Sequence, residues 1–188
     1  SILALVFSIC LAAPIFAADL GGRVISIGSD TTYPPHEFIE DGVVKGFDVD
    51  VVAAICERIN CVPNWVTTAW DGIFPALANG EFDMVVSGVT ITEERDKIVD
   101  FSDPYIIVQQ GILMRVSDKG ATIDDCKSGA MKLASQNGTT NAALGEELVG
   151  RDNLALFDSF NNAVIAVQNG DVDGVIIDST SAAAYEQE

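Results

Sequence analysis

Short runs of apolar and β-branched residues alternate along this chain with segments whose apolar residues recur at helical spacing. The apolar runs predict strands at residues 24–28, 61–67, 84–86, 131–135, 154–157 and 175–177. The helical spacing predicts helices at residues 47–59, 72–78, 92–99, 140–149, 160–168 and from 179 onward. Residues 105–115 form a longer extended stretch between the two halves of this pattern. Such an alternation is typical of an α/β protein with open, mostly parallel sheets and helices on both faces.

Two segments of the chain show the same order of features. Residues 76–90 read ALANGEFDMVVSGVT and residues 166–180 read AVQNGDVDGVIIDST, so the second lies 90 positions after the first. Each contains a helix end, an Asn-Gly break, acidic residues, an apolar strand and a polar loop. Asn-Gly suits the end of a helix because glycine tolerates a positive φ. The repetition predicts two similar lobes with one cleft, and residues 105–115 as the extended crossover between them.

Residues 1–18 contain no charged side chain and are mostly apolar. Two interpretations of this segment remain, the apolar core of a secretory signal and an uncleaved membrane anchor. Pro14 and the small residues Ala17 and Ala18 favour a signal that is cleaved near Ala17. Since the chain begins without Met and ends within a predicted helix, we expect a partial signal peptide (1–18) and truncation at both ends.

The charge of the chain narrows the choice of partners. Lys and Arg number 10 against 28 Asp and Glu, which gives a formal net charge of -18 and argues against a nucleic-acid partner. Two explanations of the acidity stay open, steering of cationic ligands and adaptation to a salty habitat. His36 is the single histidine, which disfavours Ser-His-Asp catalysis and multi-histidine metal sites. We therefore expect no metal and no cofactor.

Three cysteines follow the predicted signal. In an oxidising compartment Cys56 and Cys61 can form a disulfide between a predicted helix end and the next strand, or they remain two buried thiols. Their spacing alone indicates neither a zinc site nor a redox motif. Cys126 has no evident partner in the sequence.

Polar residues follow the predicted strands, where open α/β sheets bind their ligands. Together with an aromatic residue that precedes a predicted helix, they supply a guanidinium, hydroxyls, backbone N–H groups, carboxylates and rings. The candidates are Asp30, Tyr33, Trp70, Ser87, Gly88, Thr90, Arg95, Gln136, Thr139, Thr140 and Asp178. This set of groups is complementary to a zwitterion.

The two ends of a zwitterion would meet different candidates. Arg95 can hold a carboxylate through two parallel bonds, although an ordinary surface ion pair is the alternative for this residue. N–H groups at Gly88, Thr90 and the predicted helix start near Thr139 would complete the anion site. Asp178 would face the ammonium group, and it can also cap the helix that begins at 179.

The remaining candidates concern the ligand side chain. Tyr33 and Trp70 can sandwich it, or they can belong to the core. Asp30 can bond to its polar or cationic tip, or it can serve as a turn former. This combination favours a basic amino acid, although glutamine can use similar groups.

Four stretches resemble a known family: SDTTYPPHEF, GVVKGFDVDVVAAICERI, WDGIFPALANGEFDMVVSGVTITEERDKIVDFSDPY and QNGTTNAAL…NGDVDGVIID. They are similar to the polar amino-acid-binding proteins of ABC importers, the bacterial family 3 solute-binding proteins. The resemblance covers nearly all of residues 24–188, and TITEERDKIVDFSDPY is its most specific part. His36 departs from the family pattern, in which a phenylalanine commonly follows the proline.

The resemblance implies two Rossmann-like lobes of the type II periplasmic binding protein kind that close around one amino acid. It implies that Arg95 binds the α-carboxylate, helped by Ser87, Gly88, Thr90 and Thr139. It assigns Asp178 to the α-amino group, and Asp30, Tyr33 and Trp70 to the side-chain pocket. Since such proteins cross back to their first lobe, the resemblance also implies that a C-terminal return segment is missing here.

The expected division is a first lobe at 19–108, a hinge crossover at 109–115 and a second lobe at 116–188. The implied function is periplasmic or other extracytoplasmic binding of a polar amino acid, basic by preference, and its delivery to the membrane permease of an ABC transporter. Two alternatives stay open. One is the sensor domain of a membrane receptor or kinase, and the other is an enzyme similar to cyclohexadienyl dehydratase, for which no acid/base pair is evident.

Overall fold

The computed structural model of the chain describes residues 18–118 and 120–186. The predicted signal peptide lies outside the described residues except for its last residue, Ala18. Within the described part of the chain, no helix has the length and apolar character needed to cross a membrane.

Along most of the chain, strands and helices alternate as predicted. The strands are β1 Arg23–Ser29, β2 Thr32–Tyr33, β3 Glu37–Glu40, β4 Val43–Lys45, β5 Cys61–Thr67, β6 Met84–Val85, β7 Gln110–Met114, β8 Leu133–Gln136, β9 Leu154–Phe157 and β10 Gly174–Asp178. The helices are α1 Phe47–Ile59, α2 Ile73–Ala78, α3 Ile123–Lys127, α4 Thr140–Val149, α5 Phe160–Asn169 and α6 Ser179–Tyr185.

Two open sheets carry the fold. The first sheet has the strand order β5-β1-β6 and is parallel throughout. The second sheet has the order β7-β10-β8-β9, in which β7 alone runs antiparallel to its neighbour. The predicted α/β fold with mostly parallel sheets is therefore confirmed. The extended stretch predicted at 105–115 contributes β7 to the second sheet.

Each sheet buries its apolar residues under its helices. Ile27 of β1 packs with Val52 and Cys56 of α1 in the first sheet. Every residue of β10 is buried, and Ile176 and Ile177 lie in two different core clusters. A central strand that is covered on both faces explains why β10 appears in the sequence as a continuous apolar run.

The predicted helix at 92–99 is wrong. Thr92 does accept a hydrogen bond from the backbone N–H of Arg95 at 3.2 Å, as a helix cap would. Only a 3-10 turn at Arg95–Lys97 follows, however. The β-branched residues Ile98 and Val99 come next in the chain, and their restricted side chains disfavour the continuation of a helix.

A small antiparallel sheet, β2-β3-β4, was not predicted from the sequence. Its strands have two to four residues, too few for a periodic pattern to stand out. Its second turn nevertheless contains Asp41-Gly42, both with positive φ, and Asp-Gly is a strong hairpin signal.

The repeat found in the sequence has a structural counterpart at Asp83 and Asp173. The backbone N–H of Asp83 donates to the carbonyl of Ser26, and its carboxylate accepts from the N–H of Ser26. Asp173 makes the same two bonds to Lys132, at 2.7 and 2.8 Å. Each aspartate therefore clamps the backbone of a neighbouring strand segment, once in each sheet.

The structure joins Cys56 at the end of α1 to Cys61 at the start of β5 in a disulfide. Cys126 of α3 is a buried free thiol, and its sulfur lies 3.6 Å from that of Met131.

Gly46 fixes the approach of α1 to the segment before β3. Its φ is 130°, and a Cβ atom built there would lie 2.2 Å from the carbonyl oxygen of His36. Gly72 is a matched control, because it has a negative φ and open space around its Cβ position.

We expect Gly46→Ala to lower the free energy of unfolding by more than about 2 kcal/mol, because the added methyl group meets backbone that cannot turn aside. Gly72→Ala should change it by less than about 1 kcal/mol. Urea denaturation of the two variants measures the difference. Equal effects at the two positions would contradict this account of Gly46.

Candidate functional site

A cavity lies between the first and the second sheet, at the carboxyl ends of their strands. β1 and β6 lead into it from one side, and β8 and β10 lead into it from the other. The structure brings together around this cavity all the residues predicted to contact a ligand: Asp30, Tyr33, Trp70, Ser87, Gly88, Thr90, Arg95, Gln136, Thr139, Thr140 and Asp178. Three residues that were not predicted also line it: Glu37, Asn141 and Phe160.

Hydrogen bonds of 2.6–3.3 Å join the two sides of the cavity. They connect Tyr33 to Asp178, Asp30 to Gln136, Trp70 and Arg95 to the carbonyl of Gly138, Asp71 to Asn137, and His36 to Thr180. In addition, the ring of Tyr33 lies 5.1 Å from that of Phe160. The side chains predicted from separate parts of the sequence are thus in contact across the cavity.

Arg95 is held by carbonyl oxygens and aromatic rings. Its guanidinium donates to the carbonyls of Thr90 and Gly138 and lies 5.2 Å and 5.1 Å from the ring centres of Trp70 and Phe74. Among the described residues, no carboxylate lies within 4 Å of it. Burial lowers the pKa of this guanidinium, which stays protonated nonetheless. The predicted alternative, a surface ion pair of Arg95, is absent from this part of the chain.

Asp178 ends β10 and is 5% exposed. Its carboxylate accepts from the Tyr33 hydroxyl at 2.6 Å and from the side-chain amide of Asn141 at 3.2 Å. It makes no capping bond from its side chain to α6, although it stands at the N-cap position. Both donors are neutral, so a buried negative charge faces the cavity without a cation from the described residues.

Asp30 has two neutral donors as well. Its carboxylate accepts from the hydroxyl of Thr32 and from the side-chain amide of Gln136, each at 2.7 Å. A carboxylate has about four lone-pair positions, so these two bonds leave room for further donors. Asp30 is 7% exposed and directly lines the cavity.

Two groups that were expected to donate to an anion have other partners. The hydroxyl of Ser87 donates to Glu37 at 2.8 Å and accepts from the backbone N–H of Asp30. The backbone N–H of Gly88 donates to Asp48 at 3.0 Å. Ser87 and Gly88 therefore stabilise the cavity lining by hydrogen bonds to two buried acids, Glu37 and Asp48.

The start of α4 supplies the other donors. The hydroxyl of Thr139 accepts from the N–H of Ala142 and donates to the carbonyl of Gln136, so it caps the helix. The first turn of an α-helix leaves backbone N–H groups without intrahelical partners, and here that turn begins at Thr140 and Asn141. Helix starts of this kind favour anions.

The sequence contained partial signals for the cavity residues that were missed. Asn141 directly follows Thr140 in the same helix turn, and Phe160 opens the helix that follows β9, so the strand-end rule applied more widely would have found both. Glu37 belongs to the small antiparallel sheet, which the sequence pattern did not reveal. Within the described ranges, no cluster of three or more His, Cys, Asp or Glu side chains is arranged to hold a metal ion.

Comparison with known proteins finds one matching family and individual relatives of the chain. The family model described as bacterial extracellular solute-binding proteins, family 3, matches residues 25–176. A protein of Neisseria gonorrhoeae named "Probable histidine-binding protein" is 36% identical over 167 residues, which are 87% of this chain and 62% of that protein. The ABC transporter arginine-binding protein 1 of Escherichia coli (strain K12) is 32% identical over 176 residues, which are 93% and 71% of the two chains.

A solved structure is similar over the same region. It is an ancestral amino-acid-binding protein described as a precursor of cyclohexadienyl dehydratase, with a TM-score of 0.83 and 36% identity. The match covers 87% of this chain and 74% of that one. The present chain thus spans from about three fifths to three quarters of the proteins it matches.

The two tyrosines beside buried aspartates provide a test of this geometry. Tyr33 donates to Asp178, and Tyr105 donates to Asp48 at 2.9 Å. Burial, followed by the neighbouring carboxylate, raises the pKa of both phenols far above the usual value of 10.0. The stabilisation from these two protonated phenols is complete below that value and is lost as the pH rises above it.

We expect Tyr33, which is 7% exposed, to form tyrosinate only when alkaline unfolding exposes it, and Tyr105, which is 45% exposed, to do so only when unfolding breaks its hydrogen bond to buried Asp48. Two of the three tyrosines of the chain should gain tyrosinate absorbance at the same pH at which circular dichroism reports unfolding. Tyr33→Phe and Tyr105→Phe should each remove part of that step. Ionisation of either phenol while the circular dichroism stays native would argue against the described contacts.

Proposed function

The chain belongs to the bacterial extracellular solute-binding proteins of family 3, and we propose that it binds one basic L-amino acid outside the cytoplasm and delivers it to the membrane permease of an ABC importer. The observation that carries this proposal is the distribution of charge in the cavity. Among the described residues that line the cavity, the guanidinium of Arg95 has no anionic partner. The carboxylates of Asp30 and Asp178 have only neutral hydrogen-bond donors.

The α-carboxylate of the ligand would bind between Arg95 and the start of α4. Arg95 uses two of its five N–H groups for the carbonyls of Thr90 and Gly138, so donors remain for a carboxylate. The backbone N–H groups at Thr140 and Asn141 would add the favourable field of the helix start. The hydroxyl of Ser87 and the N–H of Gly88 serve this site by holding its wall.

The α-ammonium group would bind to Asp178. Two donors already orient this carboxylate, so its direction is fixed before a ligand arrives. An ammonium group carries three donors and no acceptor, which suits an acceptor-only carboxylate. The charge-assisted bonds that result are stronger than those from neutral donors.

Charge balance favours a cationic ligand side chain. Asp30 and Asp178 bring two negative charges to the cavity and Arg95 brings one positive charge, while Glu37, whose pKa is raised well above its usual value by burial, adds no negative charge. A lysine or arginine ligand carries one net positive charge and would neutralise this set. A neutral amino acid such as glutamine would leave a buried negative charge uncompensated, which is unfavourable. The relatives named for histidine and arginine support the same class of ligand.

The proposed transport step uses the contacts across the cavity. We place a first lobe at 19–108, a crossover at 109–115 and a second lobe at 116–188, and the lobes would open and close around the ligand. Since β7 belongs to the second sheet, bending would occur on the first-lobe side of the crossover, before Gln110. The closed form would be the one that the permease recognises.

A thermal-shift panel of single amino acids, applied to the full-length protein, tests the ligand class. At 100 times its Kd, a ligand adds about 2.7 kcal/mol of stability, which is readily seen as a rise in Tm. We expect arginine, lysine or ornithine to raise the Tm, and glutamine to raise it less. Asp30→Asn should reduce the response to the basic amino acids more than the response to glutamine.

A response to glutamine alone would contradict the charge argument and leave the binding function in place. No response to any amino acid would contradict the proposed function.

Arg95→Ala tests the carboxylate site. We expect the affinity for the responding amino acid to fall at least 100-fold, about 2.7 kcal/mol, because a charge-assisted bidentate contact is lost. Isothermal titration calorimetry measures the Kd, and circular dichroism confirms the fold. Arg151→Ala is the matched control, since the side chain of Arg151 is 81% exposed and pairs with Glu146 far from the cavity lining. An unchanged Kd in Arg95→Ala would refute this assignment.

A further inference from the structure

Two carboxyl groups that the proposed binding contacts do not use lie at the cavity, Glu37 in its lining and Asp48 behind it. Glu37 begins β3 and Asp48 lies in the first turn of α1, and both side chains are fully buried at 0% exposure. We propose that Glu37 and Asp48 share one proton, carried by Glu37, and that this pair is the positioning element for the first-sheet wall of the cavity. Its predicted effect on ligand affinity rests on the proposed function, whereas its protonation state does not.

The hydrogen bonds of the pair leave one oxygen unpartnered on each side. Glu37 Oε1 accepts from the Ser87 hydroxyl, and Asp48 Oδ2 accepts from the N–H of Gly88 and the hydroxyl of Tyr105. Glu37 Oε2 and Asp48 Oδ1 are buried and have no partner. The two carboxyl groups are neighbours, because the backbone N–H of Asp48 donates to the carbonyl of His36 at 2.9 Å and the consecutive residues Ser87 and Gly88 donate to Glu37 and Asp48. A single proton between these two oxygens would satisfy both.

The alternative, two ionised carboxylates, would place like charges side by side in a buried environment. Within the described ranges, no lysine or arginine lies within 4 Å of either group. Each ionised group would then keep one lone oxygen without a donor. Two adjacent buried carboxyl groups without a lysine or arginine beside them therefore hold one proton between them, because each ionised carboxylate disfavours ionisation of the other.

The donor count assigns the proton to Glu37. Asp48 already accepts from two donors, Gly88 and Tyr105, whereas Glu37 accepts from one, Ser87. The group with more donors is the better anion, so Asp48 carries the charge and Glu37 is the neutral acid. Burial, the charge of Asp48 and the hydrogen bond to it all raise the pKa of Glu37 well above its usual range.

The pair links three separate segments of the cavity wall. Through the Ser87 hydroxyl, Glu37 fixes the backbone N–H of Asp30 at the end of β1. Asp48 fixes Gly88 after β6 and, through Tyr105, the extended segment that leads to β7. The pair that shares the proton thus fixes, through these hydrogen bonds, the backbone at Asp30 and at Gly88 beside the cavity.

The other titratable groups around the pair come from four segments of the chain. His36 precedes β3, and its Nδ1 atom is unpartnered and 3.9 Å from Asp48 Oδ1, while its Nε2 atom bonds to Thr180 across the cavity. Asp30 and Tyr105 also act on the pair, and Tyr33 acts on Glu37 from β2. Protonation of His36 would add a positive charge beside Asp48, which would ease the loss of the Glu37 proton.

The pH dependence of stability has a defined sign. In the unfolded chain Glu37 loses its proton near the ordinary value of 4.5, whereas the folded protein retains it to a much higher pH. The stabilisation from this proton is complete below the unfolded pKa and declines as the pH rises toward the folded pKa. Glu37→Gln mimics the protonated acid, because its amide can donate to Asp48 and its oxygen can accept from Ser87.

The first experiment needs no ligand. The folding equilibrium constants of the wild-type protein and Glu37→Gln are measured by urea denaturation between pH 5 and 9. The wild-type constant divided by that of Glu37→Gln should fall up to tenfold per pH unit over the range in which only the unfolded chain releases the proton. Infrared spectroscopy of the wild-type protein at neutral pH should show the carbonyl band of a buried protonated carboxylic acid, which Glu37→Gln abolishes. A ratio independent of pH, or the absence of that band, would overturn the shared proton.

The second experiment measures the positioning role with the amino acid that responds in the thermal panel. Glu37→Ala should weaken binding at least tenfold, and Glu37→Gln should restore most of that loss and flatten the dependence of the Kd on alkaline pH. Binding by Glu37→Gln as weak as that of Glu37→Ala would overturn the positioning role of the neutral acid. If Glu37→Ala fails to fold, the pH dependence of the Kd is compared between the wild-type protein and Glu37→Gln. The same pH dependence of the Kd in both would refute the proposal.

The two proposals fail in different ways. If no amino acid binds while the infrared band and the stability ratio behave as expected, the proposed function fails and the shared proton stands. If amino acids bind but the band is absent, the proposed function stands and the shared proton fails.

Discussion

Burial of carboxyl groups around the cavity is the constraint on which its structure depends. Asp30, Glu37, Asp48 and Asp178 are all at most 7% exposed, and within the described ranges none has a lysine or arginine partner within 4 Å. Each carboxyl group must therefore obtain hydrogen bonds from neutral donors elsewhere in the chain. Those donors come from strand ends, helix starts and aromatic side chains, so the hydrogen bonds of the acids connect elements that are separate in the sequence.

The sequence predicted the elements whose pattern is local. Helix α1 and strand β5 have the predicted bounds, because an apolar face or an apolar run is complete within one segment. The candidates placed after strand ends do line one cavity, since parallel strands end at one edge of a sheet. The same reasoning overlooked Glu37, whose strand is too short to carry a pattern.

Partners distant in the sequence were beyond this reasoning. The Tyr33 hydroxyl meets Asp178 across 145 positions, and the Gln136 amide meets Asp30 across 106. These contacts depend on how the two sheets approach each other, which no local pattern encodes. Likewise, Ser87 and Gly88 lie where expected, but tertiary packing turns their donors toward Glu37 and Asp48 instead of the cavity.

The aspartate clamps at Asp83 and Asp173 support the two sheets through identical backbone bonds, and neither clamp residue lines the site between the sheets. The residues five positions after each aspartate differ, however: Gly88 follows β6, and Asp178 ends β10. Support and recognition are therefore encoded at separate positions within each repeat. A chain built in this way can change what it recognises by substitution of strand-end residues one at a time, while the aspartate clamps continue to support the two sheets.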